Sequence, residues 1–150
     1  MIEAHKVSAW KGRYDIVADG RPVATWDKSA WTAGGRLDID GRPHDLRANL
    51  WQGDWAMTDA AGSVVATATG VGRRTWTVEA DRVTYEFRRG AWWRYEVDLL
   101  AAGAAVGSVR RPSLWRSDAV ADLPGLPLDV GVFALAVVLA KWDNDAAAAG

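Results

Sequence analysis

Two hydrophobic patterns divide this chain. Up to about residue 125, apolar and polar positions alternate, as they do in strands with one buried face. Trp93, Tyr95, Val97 and Leu99 share one face, and Arg94, Glu96 and Asp98 share the other. Trp76 and Val78 alternate in the same way with Thr75, Thr77 and Glu79. Asp19-Gly20 and Asp40-Gly41 are signals for tight hairpin turns. The second pattern begins near Leu128. From Val130 to Ala140 no side chain is polar, which fits neither an alternating strand nor an amphipathic helix. A helix apolar on every side belongs in a core or a membrane. Spanning a bilayer takes about 20 apolar residues, so a shorter run closed by Lys141 predicts a buried helix. Pro124 and Pro127 punctuate its entry, Asp129 sets a carboxylate in its first turn, and Asn144 is a stop signal. Gly131 gives up some helicity but lets a neighbour approach closely.

The strand region repeats. Residues 14–26, 55–67 and 95–107 each run from an aromatic residue through a strand and a Gly-containing turn into a Val/Ala-rich strand. Residues 36–47 and 74–88 add a second hairpin to the first two units. The third unit supplies two clear strands and a further one around Ser117–Leu123, for roughly 9–12 strands in all. Side chains can fill an eight-stranded barrel, but a wider one encloses space. A helix about 10–12 Å across would fill that space. The expected fold is therefore mainly β: a closed antiparallel barrel with internal repeats around a central hydrophobic C-terminal helix. The domain spans residues 1–144, the helix about 128–142, and residues 145–150 form a flexible tail.

Composition narrows the function classes. At 150 residues with 49% hydrophobic and 25% charged content, the chain is one globular domain. The absence of cysteine excludes disulfide scaffolds and thiol chemistry. A net charge of −1 argues against general nucleic-acid binding. The first ten residues lack an apolar signal region, and no segment reads as transmembrane, so a cytoplasmic location is expected.

Candidate chemistry is sparse. His5 and His44 are the only histidines, and His44 aligns with Tyr85 of the neighbouring unit, a position suited to a packed imidazole. Gly70-Val-Gly72 lacks the third glycine and the helix of a dinucleotide loop. Asp19, Asp40, Asp59 and Asp81 all stand at turns, where aspartate serves backbone geometry. No constellation supports an enzyme, a metal site or a cofactor.

Arginine is the exception. In an up-and-down meander the pairs Arg73-Arg74, Arg88-Arg89 and Arg110-Arg111 fall on one rim, and the four turn aspartates fall on the other. Such a rim can meet an anionic lipid or an acidic partner. The plainer reading is a solvated rim with ion pairs to Asp27 and Asp54. Trp92 is expected to face outward if Trp93 faces inward, as an interfacial anchor or a cover for the wall.

Gly103-x-x-Val-Gly107, Arg110-Arg111, the stretch Ala121-Asp-Leu-Pro-Gly-Leu-Pro-Leu128 and Phe133 in an apolar run ending Lys141-Trp-Asp143 follow one another in a familiar order. Over roughly residues 12–143 the chain resembles the Tubby C-terminal-like superfamily, in particular its LURP-one-related and phospholipid-scramblase-like branches. The resemblance implies a closed barrel, typically twelve-stranded, threaded by a hydrophobic C-terminal helix. The chain is short for that fold, so a strand fewer at the N-terminus or before the helix fits its length. Tubby-like members bind phosphoinositide headgroups and scramblase-like members associate with membranes. No Lys/Arg motif here matches the Tubby headgroup residues, and without cysteine there is no palmitoylation. The functional expectation is a non-enzymatic cytoplasmic module, peripheral at the membrane, that binds anionic lipid headgroups through Arg73, Arg74, Arg88, Arg89, Arg110 and Arg111. The alternative is a scaffold domain that binds a protein partner and no ligand.

Overall fold

The computed structural model describes residues 1–7, 12–29, 32–90, 94–112 and 118–149. Twelve strands follow one another: β1 (Ile2–Lys6), β2 (Arg13–Ala18), β3 (Arg21–Lys28), β4 (Gly35–Ile39), β5 (Arg42–Asn49), β6 (Asp54–Thr58), β7 (Val64–Thr69), β8 (Thr75–Ala80), β9 (Val83–Arg89), β10 (Glu96–Ala101), β11 (Ala104–Arg110) and β12 (Ala119–Asp122). Each pairs antiparallel with its sequence neighbours, and β1 pairs with β12 to close the barrel. One helix, α1 (Leu128–Ala149), follows β12. The strand count sits at the top of the expected range, because β1 is present and completes the circle.

The period-2 pattern decides which way each strand faces. Tyr14, Ile16, Trp26, Leu37, Leu46, Met57, Trp76, Val78 and Phe87 point inward and are buried. Arg13, Asp15, Asp27, Arg36, Asp45, Arg47 and Glu79 occupy outward positions and are exposed. This is the inverse of a transmembrane barrel, whose outer band is apolar. No helix among the described residues is long and apolar enough to cross a membrane.

The interior belongs to α1. Every residue from Val130 to Ala140 is buried, and Phe133, Leu135, Val137 and Leu139 are wholly so. Full burial is worth about 1.5–3 kcal/mol for each large apolar side chain. Pro127 donates no backbone hydrogen bond, but its carbonyl accepts the first helical one from Gly131 at 2.9 Å. Asp129 Oδ1 accepts from the backbone N–H of Val130 at 2.9 Å. A Cβ on Gly131 would stand 3.2 Å from Ile2 Cδ1, so the close neighbour of this glycine is β1. The helix does not stop at Asn144. It runs on to Ala149, where a flexible tail was expected. Residues 146–149 are alanine, the strongest helix former, and Lys141 pairs with Asp145 one turn on at 2.7 Å.

The repeat is sharper in three dimensions. A register shift interrupts the first hairpin of each unit, between Ile16 and Val17, between Met57 and Thr58, and between Leu99 and Leu100. These bulges are 41 and 42 residues apart. They align Tyr14 and Trp55 with Val97, and not with Tyr95 as the aromatic pattern suggests. The first unit is β2–β5 and the second β6–β9. The third is β10–β12 together with β1, the strand from the other end of the chain.

Candidate functional site

The meander gives the barrel two different ends. At one end, two-residue turns join the strands at Asp19-Gly20, Asp40-Gly41, Asp81-Arg82 and Ala102-Gly103, with both residues of each at positive φ. That is the backbone of the hairpin turn whose twist matches the strands. The fifth connection is longer, and Asp59 Oδ1 caps it by accepting from the N–H groups of Ala61 and Ser63 at 3.0 and 2.9 Å. All four turn aspartates stand at this closed end.

The open end holds the longer connections, the C-terminal turns of α1 and the arginines. β7, β9 and β11 all run toward it, so Arg73-Arg74, Arg88-Arg89 and Arg110-Arg111 share one rim. The six are not equivalent. Arg73, Arg74 and Arg110 are exposed, and no carboxylate among the described residues lies within ion-pair distance of them. Arg88 pairs with Asp98 across the β9–β10 ladder at 3.3 Å. Arg89 donates from Nη1 to the carbonyl of Gly72 at 3.1 Å. Asp27 and Asp54, the expected partners of a solvated rim, pair with none of these arginines. Asp54 instead accepts from the N–H of Gly70 at 3.4 Å.

Arg111 turns inward. Its side chain is only 9% exposed and Nη2 lies 3.4 Å from Asp143 Oδ1. The hydroxyl of Tyr14 donates to the same carboxylate at 3.0 Å. The guanidinium lies 4.9 Å from the Tyr95 ring centre and 5.1 Å from that of Trp142. β2, the end of β11 and α1 are tied together at this point. Burial, and then the negative charge of Asp143, push the Tyr14 hydroxyl well above the ordinary tyrosine range. Arg111 is therefore a latch on the plug and not a rim contact.

Sequence reasoning missed several residues of this end. Arg94 is exposed with no ion-pair partner among the described residues, and Lys6, Lys28 and Lys141 approach the mouth. Leu50 and Trp51 cap the β5–β6 connection at 56% and 100% exposure. Their signal was available: an apolar pair in a connection has no wall to join. Trp92 and Trp93 lie outside the described residues. His44 faces inward at the closed end, half-buried, with Nδ1 3.0 Å from the carbonyl of Arg42. It belongs to the barrel lining as expected, at its edge and not in the packed interior.

The emerging turns of α1 divide the mouth into two hollows. One, of about 1280 Å³, runs from Asp143 and Ala146 past Lys6 and Lys28 and over the β3–β5 rim to the outward-facing Asp27, Arg36, Asp45 and Arg47. The other, of about 410 Å³, lies against β8–β10 and has Trp76, Tyr95 and Trp142 in its wall. Among the described residues, no three His, Asp or Glu side chains converge in a way that would hold a metal ion.

Fold and site together define a helix-plugged twelve-stranded barrel with a closed acidic end and an open basic one. No protein-family model, curated protein or solved structure matches the chain.

Proposed function

We propose that this protein is a non-enzymatic binding module that meets anionic lipid headgroups with the open end of its barrel. One observation carries the reading: Arg73, Arg74 and Arg110 stand exposed, with no ion-pair partner among the described residues, on the same rim as the exposed pair Leu50-Trp51. Cations near an anionic surface are worth about 1 kcal/mol each, and tryptophan settles at the headgroup level. The closed end also exposes Arg21, Arg42 and Arg82, but among the four turn aspartates and with no exposed tryptophan among the described residues. We also propose that the chain is a divergent relative of the Tubby C-terminal-like superfamily. The barrel threaded by a hydrophobic C-terminal helix supports that reading.

Sedimentation with vesicles of neutral lipid, and of neutral lipid mixed with phosphatidylserine, tests the function. Binding is expected only to the anionic vesicles and to weaken with salt. Replacing Arg73, Arg74 and Arg110 together by Ala removes about 3 kcal/mol of attraction, a loss of roughly a hundredfold. Equal binding by the triple variant, or no binding by the parent chain, would refute the reading. A parent chain that ignores vesicles but retains an acidic protein points to the scaffold alternative.

A further inference from the structure

The smaller hollow at the open end differs in kind from the rim around it. Val71, Trp76, Val97, Val138 and Trp142 give it an apolar body. Tyr95 meets Trp142 edge-on, with ring centres 5.5 Å apart, and the Arg111 guanidinium lies 4.9 and 5.1 Å from the two rings, so three packed groups back this wall. Its volume, about 410 Å³, falls within the roughly 300–1,000 Å³ of small-molecule sites.

The charged lining is asymmetric. It comprises Arg89, Arg94 and Lys141 against Glu96 and Asp145. Lys141 and Asp145 satisfy each other at 2.7 Å. Arg89 spends one N–H on the Gly72 carbonyl and keeps the others. Arg94 is exposed with no partner among the described residues. An apolar slot with arginine left over at its entrance fits a molecule with the same two parts. The volume suits one aliphatic chain and not the two of a bilayer phospholipid.

We infer that this hollow binds a single-chain anionic amphiphile, with its aliphatic chain between α1 and the β8–β10 wall and its carboxylate or phosphate head at Arg89 and Arg94. The inference rests on the reading that the open end meets anionic lipid, and it assigns a second, recessed site to that end. The vesicle-facing arginines, Arg73, Arg74 and Arg110, do not line the hollow.

Titration calorimetry on the full chain tests it with dodecanoate, dodecyl phosphate and dodecanol, each below its aggregation threshold. Saturable one-to-one binding of either anionic probe is expected, with dodecanol at least tenfold weaker. Decanoate is expected to bind roughly tenfold more weakly than dodecanoate, the effect of two buried methylenes. Ala146 is exposed on the ridge that this hollow shares with the larger one, so Ala146→Trp crowds its opening without touching the core and abolishes binding. Arg94→Glu weakens the anionic probes at least tenfold and leaves dodecanol unchanged. Whether dodecanoate or dodecyl phosphate binds more tightly identifies the source of the head, a fatty acid or a phosphorylated lipid. Dodecanol binding as tightly as the anions, insensitivity to Ala146→Trp, or no saturable binding at all would overturn the inference. The triple Arg73, Arg74 and Arg110 variant separates the two readings: it loses vesicles and keeps dodecanoate. If the parent chain binds vesicles but no probe, only the recessed site falls.

Discussion

The two ends of this barrel are built from the same strands and differ in what the chain does between them. At the closed end, two residues at positive φ reverse the chain four times, and the backbone fixes nearly everything about those turns. At the open end, the connections are longer, and α1 emerges among them with its last residues exposed. A turn whose residues are dictated by backbone twist has little freedom to carry a binding group. A connection free of that demand does. Arg73, Arg74, Arg94, Arg110 and Trp51 collect at one end, and the aspartates that favour left-handed backbone collect at the other, where they offset Arg21, Arg42 and Arg82.

The largest expected effect removes the comparison altogether. Phe133 is wholly buried in the plug, and Phe133→Asp places an unpaired carboxylate among apolar side chains. We expect a loss above about 4 kcal/mol and insoluble chain, checked by solubility and denaturant unfolding. The same holds for truncation at Pro127. A soluble, cooperatively folding truncated barrel would mean that the strands fill their own interior.

Next comes the contrast between arginines of the open end. Arg111→Ala leaves the Asp143 carboxylate and the Tyr14 hydroxyl without their cation, and is expected to cost about 3 kcal/mol in urea unfolding. Arg73→Ala, at an exposed position with no ion pair among the described residues, is expected to stay within about 0.5 kcal/mol. Equal costs would erase the distinction between latch and rim.

The latch also titrates. Folding raises the pKa of Tyr14, so the protonated hydroxyl is the form that the folded state favours. Its contribution is complete below the ordinary tyrosine pKa of about 10 and is lost as pH rises above it. The denaturation midpoint should therefore fall between pH 9 and about 11 more steeply in the parent chain than in Tyr14→Phe. Parallel profiles would show that the hydroxyl is neither buried nor held by Asp143 in the folded chain.

The smallest effect belongs to the closed end. Ala102 sits at φ 50°, a conformation that costs a non-glycine residue about 1–2 kcal/mol. Ala102→Gly relieves that strain, less the entropy of the unfolded glycine, and should stabilise by about 0.5–1 kcal/mol in thermal unfolding. Gly34→Ala at the open end is expected to go the other way, because its Cβ would collide with the Leu46 backbone carbonyl.

Much of this architecture is legible in the residues. Alternation at Tyr14, Ile16, Trp76 and Val78 fixes which face each strand buries, since side chains alternate with period two. The unbroken apolar run from Val130 to Ala140 requires burial on all sides, and three units of strands leave the room to provide it. The sharing of one rim by the three arginine pairs follows from counting strand reversals.

Tertiary structure decided the rest, because it depends on what meets across the barrel. Sequence alone could not show that β1 completes the third unit, since β1 and β12 lie at opposite ends of the chain. Nor could it separate Arg111 from Arg110. Adjacent in the chain, they point to opposite sides of one strand end, and only Asp143, Tyr95 and Trp142 make the inward side a place for a guanidinium. Local pattern determined the elements and their faces, and contact between residues distant in sequence determined which charges hold the fold and which are left for a partner.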